Sequence, residues 1–199
     1  MVRDFVPCIN PSCEIGMYDK IENKFYGNAG TGQFIAGHYA FDLASALVFS
    51  CSEPFIITPN GTWEGILTYS TNTLDWYEAT PAEMISSAVQ DNEEKIYFRG
   101  TGNTVITGSV VNRWKIEGNQ VKCRGNIQTL LDYIKVGTKT SFLMGESSFA
   151  GMFSHNSALV SAPELPATEL SQKCYMNMFW KCAKLVVPPY ELPAQYLTP

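Results

Sequence analysis

The sequence has few of the residues that bind metals or nucleic acids. It contains 2 histidines and 6 cysteines in 199 residues, and no two cysteines have the Cys-x-x-Cys spacing of a zinc site. Lys and Arg total 14 against 19 Asp and Glu, a formal net charge of −5, so the chain lacks the basic field that neutralises phosphates. We therefore expect no metal, no cofactor and no nucleic-acid partner.

Long apolar runs are also missing. No window approaches the roughly 18 consecutive apolar residues of a membrane-spanning helix, and no apolar run after Arg3 resembles a signal peptide. We expect no membrane insertion, and a chain that acts outside the cell would leave by another route or belong to a longer protein. The cysteines are too few for a disulfide scaffold, so we expect buried or half-buried free thiols, with a Cys8–Cys13 disulfide left open.

Catalytic groups are as sparse as metal ligands. Ser154 and His155 are adjacent, and neighbouring side chains rarely face each other, while neither His155 nor His38 lies in a nucleophile-elbow motif. The acidic run 91–94 surrounds a turn signal and is typical of a solvated loop. The glycine-rich segment 27–32 lacks the strand, helix and Lys-Ser/Thr pair of a phosphate loop. The sequence therefore predicts a protein that is not an enzyme.

What the chain does contain is the pattern of short β-strands, which predicts a mainly β fold. In residues 1–39, Met17–Tyr18 and Lys24–Tyr26 surround a polar turn and predict a β-hairpin. Residues 40–125 carry β-branched and aromatic runs separated by turn residues, which predicts a small antiparallel β-sandwich. The predicted strands of this region are Phe55–Thr58, Gly65–Ser70, Lys95–Arg99, Thr104–Val111 and Arg113–Cys123.

Helical patterns are few and short. Thr80 and Glu83 have the spacing of a capping box, so Pro81–Val89 is predicted to be a brief helix. Asn126–Lys135 has apolar side chains at helical spacing and predicts a helix or a turn-rich connector. Leu170–Phe179 shows the same spacing and is predicted to be a short helix.

The end of the chain contains a repeated sequence. MFSHNSALVSAPELPATEL and MFWKCAKLVVPPYELPAQYL superpose at an offset of 26, which places Pro163 on Pro189. One inserted residue, Tyr190, then brings the two Glu-Leu-Pro-Ala blocks into line. So many identities in one register exceed what shared composition gives, and a period in the twenties is that of leucine-rich repeats.

In such repeats the apolar side chains of each coil point inward and stack on those of the next coil, as we predict for Phe153, Leu159, Leu165 and Leu170. A coil cannot bury its own faces, and three or more are usual. Residues 126–199 hold a connector and about one and a half copies, so the region is predicted to be a short, incomplete solenoid. Its last coil should expose an apolar edge, and three explanations stay open: a second protomer covers it, the chain is a fragment of a longer array, or the end is frayed.

The repeat resembles the BspA-type leucine-rich repeats of surface proteins from gut and oral bacteria and from some of their phages. FAGMFSHNSALVSAPELPATEL and CYMNMFWKCAKLVVPPYELPA carry the resemblance, which covers residues 148–199. It departs at Ser148 and Asn156, where the second copy has Cys174 and Cys182. We expect these polar residues to belong to a first, solvent-facing coil.

Two stretches before the repeat also resemble known modules. Tyr69–Ser70, Lys95–Gly100 and Gly125–Ile127 are similar to the β-module that often precedes such repeats. VRDFVPC, GMYD and KFYGNAGTGQF resemble the last strands of laminin G-like, concanavalin-type lectin modules in phage tail and bacterial surface proteins. This second likeness is confined to residues 1–39, so no sugar-binding or calcium-binding residue carries over.

The resemblance implies a surface-exposed adhesion or interaction module that binds protein or glycan, at a cell surface, elsewhere outside the cell, or in a virion. A phage tail or fibre subunit that self-associates through the repeat edge is an alternative, and an accessory module of a carbohydrate-active enzyme is a second. Flat aromatic rings suit such contacts, although Trp76 and Trp114 lie in strand-like runs and are predicted to be core. The candidate contact residues are Trp180, Tyr190, Trp63 and Tyr77.

Overall fold

The structure, a computed structural model, describes residues 3, 5–9, 15–22, 24–27, 46–137 and 144–197. The chain divides into two compact units, Met1–Asp42 and Leu43–Pro199. Segment 28–32 and His38 lie outside the described residues, as does the predicted pairing of Cys8 with Cys13.

The first unit contains a three-stranded antiparallel sheet in the order β1-β2-β3. Its strands are β1 (Phe5–Ile9), β2 (Ile15–Asp19) and β3 (Lys24–Tyr26). The antiparallel pairing of β2 with β3 confirms the predicted hairpin, and β1 supplies the third strand that so small a hairpin needs. Asp19 closes the turn, because its Oδ1 accepts the N–H of Ile21 at 2.9 Å and its Oδ2 lies 3.2 Å from Arg3 Nη1.

The described residues of the second unit form strands in three sheets and one helix. Its elements are β4 (Leu47–Cys51), β5 (Ile56–Thr58), β6 (Ile66–Ser70), β7 (Tyr77–Glu78), β8 (Ile85–Ser86), β9 (Ala88–Gln90), β10 (Glu93–Thr101), β11 (Lys115–Glu117), β12 (Val121–Arg124), α1 (Thr129–Gly137), β13 (Leu159–Ser161), β14 (Glu169–Leu170) and β15 (Tyr196–Leu197). The 7-stranded sheet has the order β13-β12-β4-β10-β6-β7, with β9 also on β10, a 3-stranded sheet has the order β11-β5-β8, and β14 pairs with β15. The described chain is mainly β, as predicted.

Strands β4 and β10 form the centre of the large sheet, and side-chain alternation divides its two faces. Leu47 and Phe49 of β4 point into the main core, which includes side chains of β6 and β10. Val48 and Tyr97 belong to a smaller cluster on the other face, with Trp76 packed against it. The large sheet therefore buries side chains on both faces.

The smaller sheet contributes its side chains to the same main core. Ile57 of β5, Ile85 of β8 and Ile116 of β11 are buried in one cluster with side chains of the large sheet. Trp114 is fully buried there, with its ring centroid 4.8 Å from that of Phe98, which confirms its prediction as core. Two sheets that share one core are consistent with the predicted sandwich.

The predicted helix at Pro81–Val89 is wrong, although its capping bond forms. Glu83 Oε2 accepts the N–H of Thr80 at 2.9 Å, but the chain turns at Ala82 (φ 65°) and continues into β8 and β9. Pairing with β5 and β10 supplies the backbone hydrogen bonds here, and Ile85 is buried. Tertiary pairing thus overrides a local helix signal.

Helix α1 confirms part of the helical prediction for Asn126–Lys135. The element is interrupted at Asp132, whose φ of −157° and ψ of 94° are extended. Leu130 and Leu131 just before the kink are buried in the main core, so the first turn anchors the element to the sheets.

The predicted helix at Leu170–Phe179 is also wrong. Strand β14 ends at Leu170, and consecutive turns follow it. Lys173 and Asn177 have left-handed φ values of 58° and 55°, which no α-helix accommodates.

Four of the five predicted strands coincide with observed strands, and Thr104–Val111 contains none. The N–H groups of Ile106 and Thr107 donate to the Ser148 carbonyl instead of a strand partner. Strand β4, which pairs with both β10 and β12, was not predicted.

The two repeat copies lie side by side in parallel. Strand β12 pairs in parallel with β13, Ser161 forms a parallel bridge with Val187, and β14 pairs in parallel with β15. The bridge keeps the offset of 26, whereas Glu169 pairs with Tyr196 at an offset of 27. One residue is therefore inserted between these two pairs, which agrees with the alignment that made Tyr190 the insertion.

The inward-pointing side chains of the first copy follow the prediction. Phe153, Leu159 and Leu165 are buried in the main core, and Leu170 packs against it. The ring centroid of Phe153 lies 6.1 Å from that of Phe49 in β4. The main core thus includes residues on either side of the predicted boundary at 125/126, which remains a prediction.

Candidate binding surfaces of the repeat region

Each repeat copy begins with a run of consecutive tight turns. At every second residue, a backbone N–H donates to the carbonyl three residues earlier, as Ala150 does to Ser147 and Cys174 does to Ser171. Every fourth residue is left-handed, which turns the chain without building a helix. These residues are Ser147, Gly151 and His155 in the first copy and Lys173, Asn177 and Lys181 in the second, with φ of 57°, 65°, 63°, 58°, 55° and 59°.

A ladder of parallel backbone hydrogen bonds joins the two turn runs. Its donors are N–H groups of the first copy and its acceptors are carbonyls of the second. The bonds join Ser147 to Gln172, Phe149 to Cys174, Gly151 to Met176, Phe153 to Met178 and His155 to Trp180, at 2.8 or 2.9 Å. Equivalent rings stack across this ladder, with centroids 5.9 Å apart for Phe149 and Tyr175 and 5.7 Å apart for Phe153 and Phe179.

The polar residues of the first copy are buried, so the prediction that they face solvent is wrong. Ser148 and Asn156 are 0% and 5% exposed. Ser148 Oγ lies 2.9 Å from the Thr104 carbonyl oxygen, while Asn156 accepts the N–H of Ile116 and donates to the Trp114 carbonyl, both at 2.8 Å. These side chains satisfy buried backbone groups of the preceding segment and so join the first copy to the sheets.

The second copy carries the exposed apolar side of the region. Phe179 is half-buried where Phe153 is fully buried, and Leu192 is 67% exposed where the equivalent Leu165 is 5% exposed. The apolar edge expected for the last coil is confirmed. Exposed large apolar side chains of the second copy are Met176, Trp180, Val186, Val187, Tyr190, Leu192, Tyr196 and Leu197.

A groove of about 940 Å³ lies along the parallel strands, and we call it the strand groove. Lys122 and Arg124 of β12 line it, because they alternate with buried neighbours and point away from the core. Lys184 of the second copy adds a third cation, and Val160 and Val186 supply apolar walls. The 95% exposed Tyr190 also lines this groove.

A second cavity of about 670 Å³, lined by both polar and apolar residues, includes Trp180, and we call it the Trp180 cleft. The His155 ring meets Trp180 edge-on with centroids 4.8 Å apart, and its Nδ1 lies 3.4 Å from Arg113 Nη1. Loss of water around the ring lowers the pKa of His155, and the charges of Arg113 and Lys181 lower it further. An aromatic ring with cations and the Asn177 amide suits sugars or carboxylates.

The other two predicted contact residues belong to neither cavity. Trp63 is half-buried and packs against the main core. Tyr77 of β7 is 57% exposed, and its ring lies 5.8 Å from that of Tyr69. The structure therefore places Trp180 in the cleft and Tyr190 in the groove, and it brings neither Trp63 nor Tyr77 to them.

Among the described residues, Ser154, His155 and Asp91 were weighed for catalysis, and each is held in structural contacts. Ser154 is 4% exposed while the adjacent His155 side chain is exposed and meets Trp180. In the acidic run 91–94, Asp91 forms an ion pair with Lys95 at 3.2 Å. These contacts join no nucleophile to a base.

The described thiols match the prediction of buried or half-buried free cysteines. Cys51, Cys123 and Cys174 are buried, Cys182 is half-buried, and all are free. Burial raises the pKa of Cys123 well above its usual value and also raises the pKa of Cys174 and Cys182. Such thiols stay protonated and are poor nucleophiles.

Within residues 46–137, 144–197 and the described part of the first unit, no group of three or more His, Cys, Asp or Glu side chains could hold a metal ion. Across the same residues, no helix has the length and apolar character needed to cross a bilayer. Comparisons with protein-family models, with curated proteins and with solved structures find no match for this chain. The candidate function therefore depends on the strand groove and the Trp180 cleft.

The cationic residues of both cavities were not among the predicted contacts. Lys122 and Arg124 alternate with apolar residues in the sequence VKCR, a pattern that marks outward-facing strand positions. Arg113 and Lys184 carry no such local signal, because only the stacking of the first and second copies brings them to the cavities.

Proposed function

We propose that this chain is a non-enzymatic, surface-exposed interaction module that binds protein or glycan through its repeat region. In this proposal the two stacked copies are coils of a short BspA-type leucine-rich-repeat solenoid that follows a β-sandwich, and the module acts at a cell surface or in a virion. The parallel ladder between equivalent residues and the stacked rings support the solenoid.

The strand groove is the observation that carries the binding role. It combines apolar walls with Lys122, Arg124 and Lys184, and Tyr190 places an almost fully exposed ring beside them. An exposed aromatic ring next to apolar surface and positive charge is typical of recognition sites.

Binding can be measured with the purified chain on a glycan array and on immobilised cell-surface proteins. The combined variant Tyr190→Ala and Lys184→Glu should bind about 5- to 30-fold more weakly, because two groove contacts are worth on the order of 1–2 kcal/mol. The matched control is Met84→Ala, a 64% exposed residue that lines neither cavity. Equal binding by the groove variant and the control would contradict the proposal.

The Trp180 cleft favours a second candidate, an accessory module of a carbohydrate-active enzyme. Its ring, amide and cations are the groups that sugar sites use. Trp180→Ala should then abolish binding to acidic oligosaccharides while the groove variant retains it, as read on the same array.

The exposed edge of the second copy favours a third candidate, a phage tail or fibre subunit that self-associates. Light scattering on the purified chain tests this candidate, because the measured mass of a self-associating subunit should increase with protein concentration. A monomer across the whole concentration range would exclude this candidate.

A further inference from the structure

The outermost backbone edge of the second copy presents hydrogen-bond donors and no acceptors. In residues 171–180, the carbonyl groups at alternate positions from Ser171 accept N–H groups of the second copy's own turns. The carbonyl groups at alternate positions from Gln172 accept N–H groups of the first copy. The N–H groups at alternate positions from Cys174 to Cys182 donate within the turns. Among the described residues, no backbone acceptor faces the N–H groups of Lys173, Tyr175, Asn177, Phe179 and Lys181. We call these five groups the open donor edge.

The first copy shows what such an edge binds. Its equivalent N–H groups, from Ser147 to His155, are covered by a parallel coil that presents a carbonyl at every second residue. Because the turn geometry repeats at the same positions, the open donor edge has the spacing to receive another coil in the same manner.

Charge separates the two copies and indicates which coil fits. Residues 145–170 contain 3 Glu and no Lys or Arg, whereas the equivalent residues 171–196 contain 3 Lys and 1 Glu. Glu146 of the first copy pairs with Lys173 Nζ at 2.9 Å. The structure therefore already stacks an acidic coil on a basic one, and the open side of the basic coil is complementary to a further acidic coil.

Apolar surface along the edge supports the same occupant. Tyr175 and Phe179 stack on the first copy and keep part of their surface exposed. Leu192 and Leu197 are 67% and 82% exposed, while the equivalent Leu165 is buried and Leu170 is half-buried under the second copy. A stacked coil with apolar residues at these positions would bury them.

We propose that the open donor edge binds an acidic coil of the same repeat type, carried by a polypeptide other than residues 1–199, which adds in parallel as the next coil. This inference rests on the proposed interaction function and names the partner chemistry of its repeat. A second copy of this chain related by a two-fold axis does not fit, because donor N–H groups would face donor N–H groups and Lys would face Lys.

The probe for this test is a synthetic peptide with the sequence of residues 145–170, the acidic first copy. A peptide with the sequence of residues 171–196, the basic second copy, is the control. Amide hydrogen exchange of the full chain, read by NMR, should show new protection at the open donor edge with the acidic peptide alone. An added coil should slow exchange at these alternate residues and leave the exchange rates of the turn amides between them unchanged.

Charge variants test the electrostatic part of the proposal. Lys181→Glu should weaken binding of the acidic peptide about two- to fivefold, because Lys181 is an exposed residue of the open donor edge and the reversal replaces attraction to the Glu residues of the peptide with repulsion. Lys135→Glu on α1 is the matched control, because it reverses one exposed charge outside the repeat. It should bind the peptide as the unaltered chain does.

Three results would overturn the inference: no protection by either peptide, equal protection by both, or protection of the open donor edge in the free chain together with a doubled mass in light scattering. The groove variant, Tyr190→Ala combined with Lys184→Glu, separates this inference from the proposed function. If that variant loses glycan or protein binding, the proposed function of the groove is supported. If the acidic peptide also protects no amide of the open donor edge in the unaltered chain, the donor-edge inference alone is wrong.

Discussion

The two copies of the repeat share 10 of 19 aligned residues over 152–170 and 178–197, and their surroundings differ strongly. Phe153 is fully buried, whereas Phe179 is half-buried, and Leu165 is buried where Leu192 is exposed. The first copy has the sheets and the 104–116 segment on one side and the second copy on the other, while the second copy has a neighbour on one side only. Equivalent apolar residues of the two copies are therefore buried to an extent that follows the number of segments packed beside them.

The same contrast explains where the two sequences differ. Gly151 is left-handed, and a Cβ added to it would lie 2.6 Å from the Val110 carbonyl oxygen. The equivalent Asn177 has the same left-handed φ and carries a side chain into the Trp180 cleft. Glycine is thus required where a coil is covered and is dispensable where it is open.

The largest expected effect comes from deleting the stacked rings. Phe153→Ala should lower the free energy of unfolding by about 3–5 kcal/mol, because it leaves a cavity in the main core. Phe179→Ala should cost about 1–2 kcal/mol, since that ring is half-covered. Urea unfolding of both variants measures the difference, and equal losses would mean that the second copy is as well covered as the first.

Exchanging the polar and thiol residues sharpens the contrast. Asn156→Cys should cost about 3 kcal/mol, because it leaves the Ile116 N–H and the Trp114 carbonyl buried without partners. The reciprocal Cys182→Asn should cost under about 1 kcal/mol, since that side chain is half-buried and water reaches it. Thermal and urea unfolding of the pair give the comparison, and a costly Cys182→Asn with a neutral Asn156→Cys would reverse it.

Exchanging the left-handed residues has a smaller expected effect. Gly151→Asn should destabilise the chain by about 2 kcal/mol through its close approach to Val110. Asn177→Gly should change stability by less than about 0.5 kcal/mol, because the side chain is exposed. If Gly151→Asn proves neutral in urea unfolding, the first copy is less tightly covered than the structure indicates.

The smallest effect is a titration. The folded-state pKa of His155 lies below the ordinary imidazole pKa. Neutral His155 therefore contributes to the free energy of unfolding above the ordinary pKa, and this contribution is lost as pH falls from the ordinary pKa through the folded-state pKa. NMR titration of the His155 ring should give a midpoint below the ordinary value, and Arg113→Gln should move the midpoint up. A midpoint at the ordinary value in both proteins would contradict the proximity of Arg113.

The sequence predicted the register of the repeat well, because identities at fixed spacing report stacking directly. It failed to distinguish helix from turns at Leu170–Phe179, since apolar residues four apart suit an α-helix and also a run of turns with a left-handed residue at every fourth position. Trp180 and Tyr190, chosen as aromatic residues of the repeat, line the cleft and the groove, and their role as contacts stays a prediction.

Strand β4 and the cations of the strand groove could not be predicted in the same way. Leu47–Cys51 is buried along its whole length, so no polar alternation marks it as a strand. Lys122 and Lys184 meet in the groove only because β12, β13 and the second copy stack in parallel. The local sequence of either residue contains nothing that reports this long-range pairing.

Trp114 and Trp180 have such different surroundings that their fluorescence reports on two different events. Its indole N–H is buried and has no hydrogen-bond partner among the described residues, while Phe98 covers its ring. Trp180 is 53% exposed at the open end of the repeat. With Trp63 and Trp76 replaced by phenylalanine, emission from Trp114 should lie toward the blue and respond to loss of the core, whereas emission from Trp180 should lie toward the red and respond to a partner. A single spectrum of that variant can then distinguish unfolding from binding.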